Sequence, residues 1–192
     1  MAGFTLLELM VVGAIFALLS AIVLANNSRF GNVIVLQNLA HDIGLTIREA
    51  QIYGISVKRC DSTKVTGCTT ANQFKLAYGM HFTENAATYE LFADLDANGA
   101  YSPGETIKGM TIAGGYRVSD ICILTDSAGA DACTVTELNV VFLRPEPDAC
   151  INGAFVNGAC LSANVRGKIV VASNRDDRAT IIVERSGQIS VQ

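Results

Sequence analysis

The sequence predicts an α+β protein in which a long N-terminal α-helix, membrane-spanning in its first half, packs its second half on an antiparallel β-sheet head. Three observations predict this fold class. An apolar run opens the chain, an apolar stripe with helical spacing follows it, and short β-branched and aromatic runs separated by turn residues fill the remainder. The length of 192 residues suits one head domain with one appended element.

The apolar run extends from Phe4 to Ala25. As a helix it would be about 33 Å long, which matches a hydrocarbon core of about 30 Å. Its single charge is Glu8, whose burial at bilayer depth costs about 2.5 to 3.5 kcal/mol. A plain membrane anchor would therefore leave this carboxylate without a partner.

A secretory signal peptide cut near Ala25 is an alternative interpretation of the same run. Such peptides carry a basic start and an apolar core of about 7 to 15 residues. Here no Lys or Arg precedes Arg29, and the uncharged run from Leu9 to Ala25 has 17 residues. The pattern therefore favours a segment that stays in the chain.

The stretch Gly3-Phe4-Thr5-Leu6-Leu7-Glu8-Leu9 resembles the processing signal of type IV prepilins and type II secretion pseudopilins. The resemblance implies that a prepilin peptidase cuts between Gly3 and Phe4, removing the leader 1–3, and that the new Phe4 amine is N-methylated. Glycine before the cut leaves the backbone open to the peptidase. The leader contains neither Lys nor Arg, although members of this family usually carry one there.

The resemblance also implies a role for Glu8 in assembly. In a filament of this family its carboxylate would face the α-ammonium of Phe4 on a neighbouring subunit. A charge pair in an apolar bundle is strongly favoured over two unpaired charges. The expected partners are the membrane and other copies of this chain or other pilins, in a homo-oligomer or hetero-oligomer. The protein would be a single-pass inner-membrane protein before assembly, and part of a cell-surface pilus or a periplasmic pseudopilus afterwards.

Residues 26–54 are predicted to continue the helix. We expect one helix from Phe4 to Tyr53, with Gly54 as its C-terminal stop. Polar side chains lie off the apolar stripe, among them His41, which we expect to be solvated. The stripe that should pack on the head consists of Leu36, Leu39, Ile43, Ile47 and Ala50.

The segment 55–192 is predicted to form the β-rich head. Its final two runs should form a hairpin through residues 184–187. The end of the helix, Ile47 to Gln51, followed by Gly54 to Val57 and this hairpin, also resembles the minor pseudopilin of the H type. The predicted strands are Ile55 to Lys58, Phe74 to Tyr78, Tyr89 to Ala93, Thr106 to Ile112, Tyr116 to Val118, Leu138 to Leu143, Lys168 to Ala172, Thr180 to Val183 and Gln188 to Val191.

Six cysteines follow the apolar run and favour disulfides in a compartment outside the cytoplasm. Six cysteines allow 15 connectivities. We favour the three local pairs, since each closes a short loop of the kind found at hairpin ends. Zinc is disfavoured because no C-x-x-C spacing occurs and only two histidines, His41 and His81, are present. The favoured pairs are Cys60 with Cys68, Cys122 with Cys133, and Cys150 with Cys160.

A candidate calcium loop runs from Asp94 to Glu105 and fits D-x-[DN]-x-[DN]-G-x₅-E. Calcium prefers six to eight oxygen ligands, and Gly99 would permit the sharp turn. The flanking runs read as strands, unlike the helices of an EF-hand, and Pro103-Gly104 also suits a simple polar turn. The expected ligands are Asp94, Asp96, Asn98, the Ala100 carbonyl, Ser102 and Glu105.

An enzyme is not expected, because the nucleophile-elbow, phosphate-loop and H-E-x-x-H motifs are absent. The net charge of −4 and the interleaving of Arg and Lys with acids near the C-terminus argue against a nucleic-acid partner. The leading hypothesis is a structural filament subunit. The alternative is a monomeric membrane-anchored module outside the cytoplasm that binds calcium or another ligand.

Overall fold

A computed structural model describes residues 3–56, 58–63, 65, 67–125, 129 and 131–192, and gives no side-chain environment for residues 25–30. Met1 and Ala2 of the predicted leader therefore lie outside the described residues. The chain divides into two compact units, Met1–Val35 and Leu36–Gln192. The second unit contains every β-strand described below.

The first element is the helix α1, Leu6–Ile55, of 50 residues. Thr5 caps its start, since its Oγ1 accepts a hydrogen bond from the Glu8 backbone N–H at 3.3 Å. The predicted apolar N-terminal helix is thus confirmed, with a start two residues later than expected.

The prediction that Gly54 stops the helix is wrong. Gly54 is a buried helical residue, and α1 continues to Ile55. A Cβ at position 54 would lie 2.5 Å from the backbone oxygen of Phe142. Glycine is therefore required here by close packing of the helix on a strand.

The stripe of the second helical half is buried in the second unit. Leu36, Ile43, Ile47 and Ala50 are at most 1% exposed, as the spacing predicts. Leu39 is only partly buried, and Ala40 is fully buried in the same cluster. His41 is exposed, as expected.

Eleven strands occur in the described residues, and every pairing between them is antiparallel. They form a five-stranded sheet in the order β3-β2-β1-β5-β6, a four-stranded sheet in the order β11-β10-β9-β4, and the ribbon β7-β8. The predicted combination of a helix with antiparallel sheet is confirmed. The strands are β1 Ala77–Thr83, β2 Thr88–Asp94, β3 Thr106–Thr111, β4 Arg117–Leu124, β5 Glu137–Phe142, β6 Ala149–Ile151, β7 Ala154–Val156, β8 Ala159–Leu161, β9 Arg166–Ala172, β10 Arg178–Glu184 and β11 Ile189–Val191.

The main core lies between the helix stripe and one face of each large sheet. Met80 and Phe82 of β1 enter it from the five-stranded sheet, and Ile169 and Val171 of β9 enter it from the four-stranded sheet. The opposite face of the five-stranded sheet is also buried, because loop residue Tyr101 and the ribbon β7-β8 cover it. The segment between β2 and β3 is therefore fixed against a packed surface.

Two predicted strands are wrong in whole or in part. In the run from Ile55 to Lys58, Ile55 ends the helix and Lys58 belongs to no strand, while Val57 lies outside the described residues. The run from Phe74 to Tyr78 contributes only its last two residues to β1. The short strands β6, β7 and β8 were not predicted, whereas the terminal hairpin of β10 and β11 is confirmed.

The three local disulfides favoured by spacing are present. Cys60 pairs with Cys68, Cys122 with Cys133, and Cys150 with Cys160. The third bond links β6 to β8 and so holds the ribbon against the five-stranded sheet. All six cysteines lie in the described residues, and each takes part in one of these bonds.

Candidate functional site

The segment Leu6–Leu24 of α1 is long and apolar enough to span a membrane, and none of it is buried inside the protein. A signal sequence near an N-terminus meets the same criterion of length and composition. Large apolar side chains such as Leu7, Phe16 and Leu24 are more than 65% exposed. This surface can be covered by lipid or by other apolar helices.

The residues of the predicted cut lie just before this helix. Gly3 and Phe4 precede α1, and Phe4 is 84% exposed. Apart from its neighbours in the chain, no described residue has an atom within 4 Å of the place where a Cβ on Gly3 would be. The backbone between these two residues is therefore sterically accessible.

Glu8 lies in the first turn of α1 and is exposed. With the Thr5 cap it forms the Thr-x-x-Glu spacing of a capping box, which the sequence reasoning missed. No cation among the described residues lies within ion-pair distance of its carboxylate. The bond to Thr5 uses the backbone N–H of Glu8, so the Glu8 carboxylate remains free for another partner.

The acidic loop, residues Asp94 to Glu105, joins β2 to β3. Its flanking elements are strands, as the sequence predicts. Carboxylate oxygens of Asp94, Asp96 and Glu105 all lie within 4.8 Å of one another. Asp94 and Glu105 are only 2% and 3% exposed, whereas Asp96 faces solvent.

Backbone N–H groups hold the two buried carboxylates in place. Asp94 accepts from Asn98 at 3.2 Å and from Gly99 at 2.9 Å. Glu105 accepts from Leu95 and from Ser102, both at 2.8 Å. The loop backbone therefore fixes where these four oxygens lie, and each oxygen retains a further lone pair for another ligand.

Gly99 makes the turn that this arrangement needs, with φ at +73°. A side chain there would also collide with the backbone oxygen of Gly153, which approaches from the turn between β6 and β7. The sequence predicts the turn but not this close approach. Both requirements exclude any residue other than glycine.

The remaining predicted ligands lie at the exposed end of the loop. The Asn98 side-chain amide donates to Asp96 at 2.8 Å and to the Ser102 hydroxyl at 3.4 Å. The Ala100 N–H donates to Asn98 Oδ1 at 2.6 Å. The structure thus brings all six predicted residues into one hydrogen-bonded set, although Ala100 enters it through its N–H and not through the carbonyl predicted as a ligand.

The pKa of Asp94 is raised to about 6, first by burial and then by the neighbouring carboxyl groups of Asp96 and Glu105, although the Gly99 N–H opposes the shift. A cation placed among these oxygens would remove the repulsion. The buried acidic cluster can therefore bind a metal ion.

A buried polar network fixes the middle of the acidic loop to the sheet, and the sequence reasoning missed it. Asn139 Oδ1 on β5 accepts from the Tyr101 N–H at 3.1 Å and from His81 Nδ1 at 2.8 Å. The His81 ring also stacks on Tyr101 at 4.8 Å between ring centroids. An asparagine in the otherwise apolar run Leu138 to Leu143 was the available signal.

Three of the basic residues near the C-terminus form ion pairs with acidic side chains. Arg166 and Lys168 both pair with Asp131, and Arg166 also contacts Glu184 at 2.8 Å. Arg178 pairs with Asp120 at 3.1 Å. This surface is a mixed-charge face.

Comparison with known proteins finds no family model, no curated protein and no solved structure that matches the chain.

Proposed function

We propose that this protein is a structural subunit of a type IV pilus-like filament, either a pilin or a pseudopilin. The observation that carries the proposal is the segment Gly3 to Leu9, placed where a fully exposed apolar helix begins with a single charge in its first turn. Before assembly the helix would cross the inner membrane. In the filament it would pack against the helices of neighbouring subunits.

Processing between Gly3 and Phe4 is the first step of the proposed route. The accessible backbone before α1 supports it, since a peptidase needs an extended segment without helical hydrogen bonds. The cut would create an α-ammonium on Phe4, four residues before Glu8. Removal of the leader thus supplies a cation that the uncut segment lacks.

Pairing of this ammonium with Glu8 of another subunit is the second step. Apolar helices gain little from hydrophobic attraction to one another in lipid, so packing and polar contacts decide whether and in which register they associate. An unpaired carboxylate at bilayer depth costs about 2.5 to 3.5 kcal/mol. Each added subunit would therefore be favoured in the register that pairs the two charges.

The capping box makes a sharp test possible. Glu8→Gln keeps the Thr5 capping arrangement, because glutamine serves at this position as well as glutamate, but it removes the charge. We expect Glu8→Gln and Glu8→Val to remain in the membrane fraction while filaments recovered by shearing and seen by electron microscopy are lost. Normal filament yield from Glu8→Gln would show that Glu8 acts only at the helix start, and would refute the pairing.

We also propose that the acidic loop binds calcium. Its donors are hard oxygen atoms, which suit Ca²⁺ rather than zinc or copper. The residues that would hold the ion are Asp94, Asp96, Asn98, Ala100, Ser102 and Glu105. When bound, calcium would neutralise the buried carboxylates and tie the end of β2 to the start of β3.

The acidic loop equally supports a second function, that of a monomeric membrane-anchored module that binds calcium or another ligand outside the cytoplasm. This alternative needs no cleavage before Phe4 and no polymer. The two functions therefore differ in the mature N-terminus and in the recovery of filaments.

A further inference from the structure

A cavity of about 330 Å³, lined by polar side chains and by glycines and alanines, lies beside the acidic loop. Residues 98–100 of the loop form one wall, and the turn 152–154 forms the other. The start of β5, with Glu137 and Asn139, forms the floor. A volume near 300 Å³ is at the lower end of the range for small-molecule sites.

The orientation of the Asn139 side chain is fixed by its partners. A backbone N–H can only donate, so the bond from Tyr101 N to Asn139 identifies the accepting atom as Oδ1. His81 Nδ1 therefore donates to the same oxygen. The Nδ2 group of Asn139 is left with two hydrogens and no partner among the described residues, although the residue is only 9% exposed.

Glu137 supplies an acceptor on the same floor. Its side chain is exposed, and its carboxylate forms no ion pair or hydrogen bond with any residue that the structure describes. Its backbone oxygen is occupied by Asn152 Nδ2 at 3.0 Å. A free donor and a free acceptor thus lie two residues apart on one strand, on the same face of the sheet.

The walls of the cavity are held in place before any ligand arrives. Asn152 Oδ1 accepts from the backbone N–H of Asn139 at 2.7 Å, and the backbone N–H of Asn152 donates to the backbone oxygen of Asn139 at 2.9 Å. Ser162 and the sulfur of Cys150 occupy the place where a side chain on Gly153 would be, so the turn is closely packed on its far side. A preformed site loses less entropy when it binds a ligand.

These features select the chemistry of the ligand. A hydroxyl group both donates and accepts, so two neighbouring hydroxyls can satisfy Glu137 and Asn139 together. Among the described residues, no cationic side chain lines the cavity, which disfavours anions. β5 is bonded to both β1 and β6, so the strand that forms the floor has no free edge for a peptide to extend.

We propose that this cavity binds a sugar ring of a saccharide, with adjacent hydroxyls donating to the Glu137 carboxylate and accepting from Asn139 Nδ2. The site requires neither filament assembly nor cleavage before Phe4. It would allow the protein to recognise a glycan outside the cytoplasm whether it is polymeric or monomeric.

Saturation-transfer NMR with the full chain tests this proposal. The probes are the methyl glycosides of glucose, galactose, mannose and N-acetylglucosamine, with calcium present and with a detergent that has no sugar headgroup. Glu137→Gln removes the charge of an exposed side chain. Asn139→Asp removes the Nδ2 donor while keeping an oxygen for Tyr101 and His81. Glu146→Gln, in the exposed loop after β5, is the matched control.

We expect transfer to ring protons of at least one glycoside, and binding weakened about tenfold or more in each of the two cavity variants. The control variant should bind as the unaltered protein does. Absence of transfer to all four glycosides would overturn the proposal, and so would transfer that neither cavity variant reduces. Selective binding of a capped glutamine dipeptide in place of the sugars would identify the cavity as a peptide site and would also overturn it.

Discussion

Calcium should raise the thermal stability of the second unit. Without an ion, three carboxylates lie within 4.8 Å of one another and two of them are buried. Burial, and after it the neighbouring carboxyl groups, raise the pKa of Asp94 to about 6. The folded loop thus holds charges that the unfolded chain would separate and hydrate, and calcium would reverse that disadvantage.

The size of the effect follows from mass action. A ligand that binds only the folded state at 100 times its Kd stabilises that state by about 2.7 kcal/mol. For domains of 150–250 residues, each 1 kcal/mol moves the Tm by about 2–4 °C. We therefore expect the Tm to rise by about 5–11 °C when calcium reaches that concentration.

Near-ultraviolet circular dichroism is the appropriate assay. All five tyrosines follow Leu36, and the chain contains no tryptophan, so the tyrosine signal reports the second unit and not the membrane segment. The Tm of the full chain in micelles is compared in the presence of calcium, of magnesium and of a chelator. Magnesium should give the smaller shift, because it requires a smaller and more regular ligand cage.

Asp96→Asn is the test variant, because Asp96 is exposed and its loss should leave the metal-free fold intact. Asp148→Asn, which changes an exposed carboxyl in the loop between β5 and β6, is the matched control. The rise in Tm caused by calcium should fall to less than half of its unaltered value in Asp96→Asn and should be unchanged in Asp148→Asn. An unchanged Tm for the unaltered protein at every calcium concentration would refute the metal site.

Two further predictions concern packing and pH. Gly54→Ala should lower the free energy of unfolding in urea by about 1–3 kcal/mol, because overpacking against the Phe142 oxygen outweighs the helix propensity of alanine. Gly109→Ala is the control and should not lower it, because a Cβ at position 109 has open space. Equal midpoints of urea unfolding for Gly54→Ala and the unaltered protein would contradict the close approach of Phe142 to Gly54. Calcium affinity in titration calorimetry should weaken about tenfold from pH 7 to pH 5, because the ion must displace the proton held by Asp94 with a pKa of about 6. The stability of the metal-free fold should depend on pH in the opposite direction: the raised pKa of Asp94 stabilises the fold fully below about pH 4, and this contribution is lost as pH rises through 6. A calcium affinity that does not change with pH would contradict the assignment of Asp94 as a ligand.

Local patterns predicted much of the fold. The spacing of Leu36, Ile43, Ile47 and Ala50 identified the buried face of the helix, since burial of a helix follows its period. Short sequence separation between cysteines identified the three disulfides. The alternation of charged and small residues from Asp94 to Glu105 located the acidic cluster.

Long-range contacts explain what the sequence could not reveal. Gly54 is typical of a helix stop, but the helix continues through it to Ile55. Glycine is needed at this position because Phe142, which is distant in sequence, leaves no space for a side chain. Ile55 has high β propensity, yet tertiary context keeps it helical. The network of His81, Tyr101 and Asn139 joins three separate segments, so the sequence pattern could indicate only the asparagine and not its partners.

The mass of the N-terminal peptide of the native protein tests the central claim most directly. If a prepilin peptidase exposes the ammonium that pairs with Glu8, the chain isolated from sheared filaments should begin at Phe4 and carry one N-methyl group. A native chain that begins at Met1, or at Asn26 after removal of the whole apolar run, and is never found in a polymer would contradict the account.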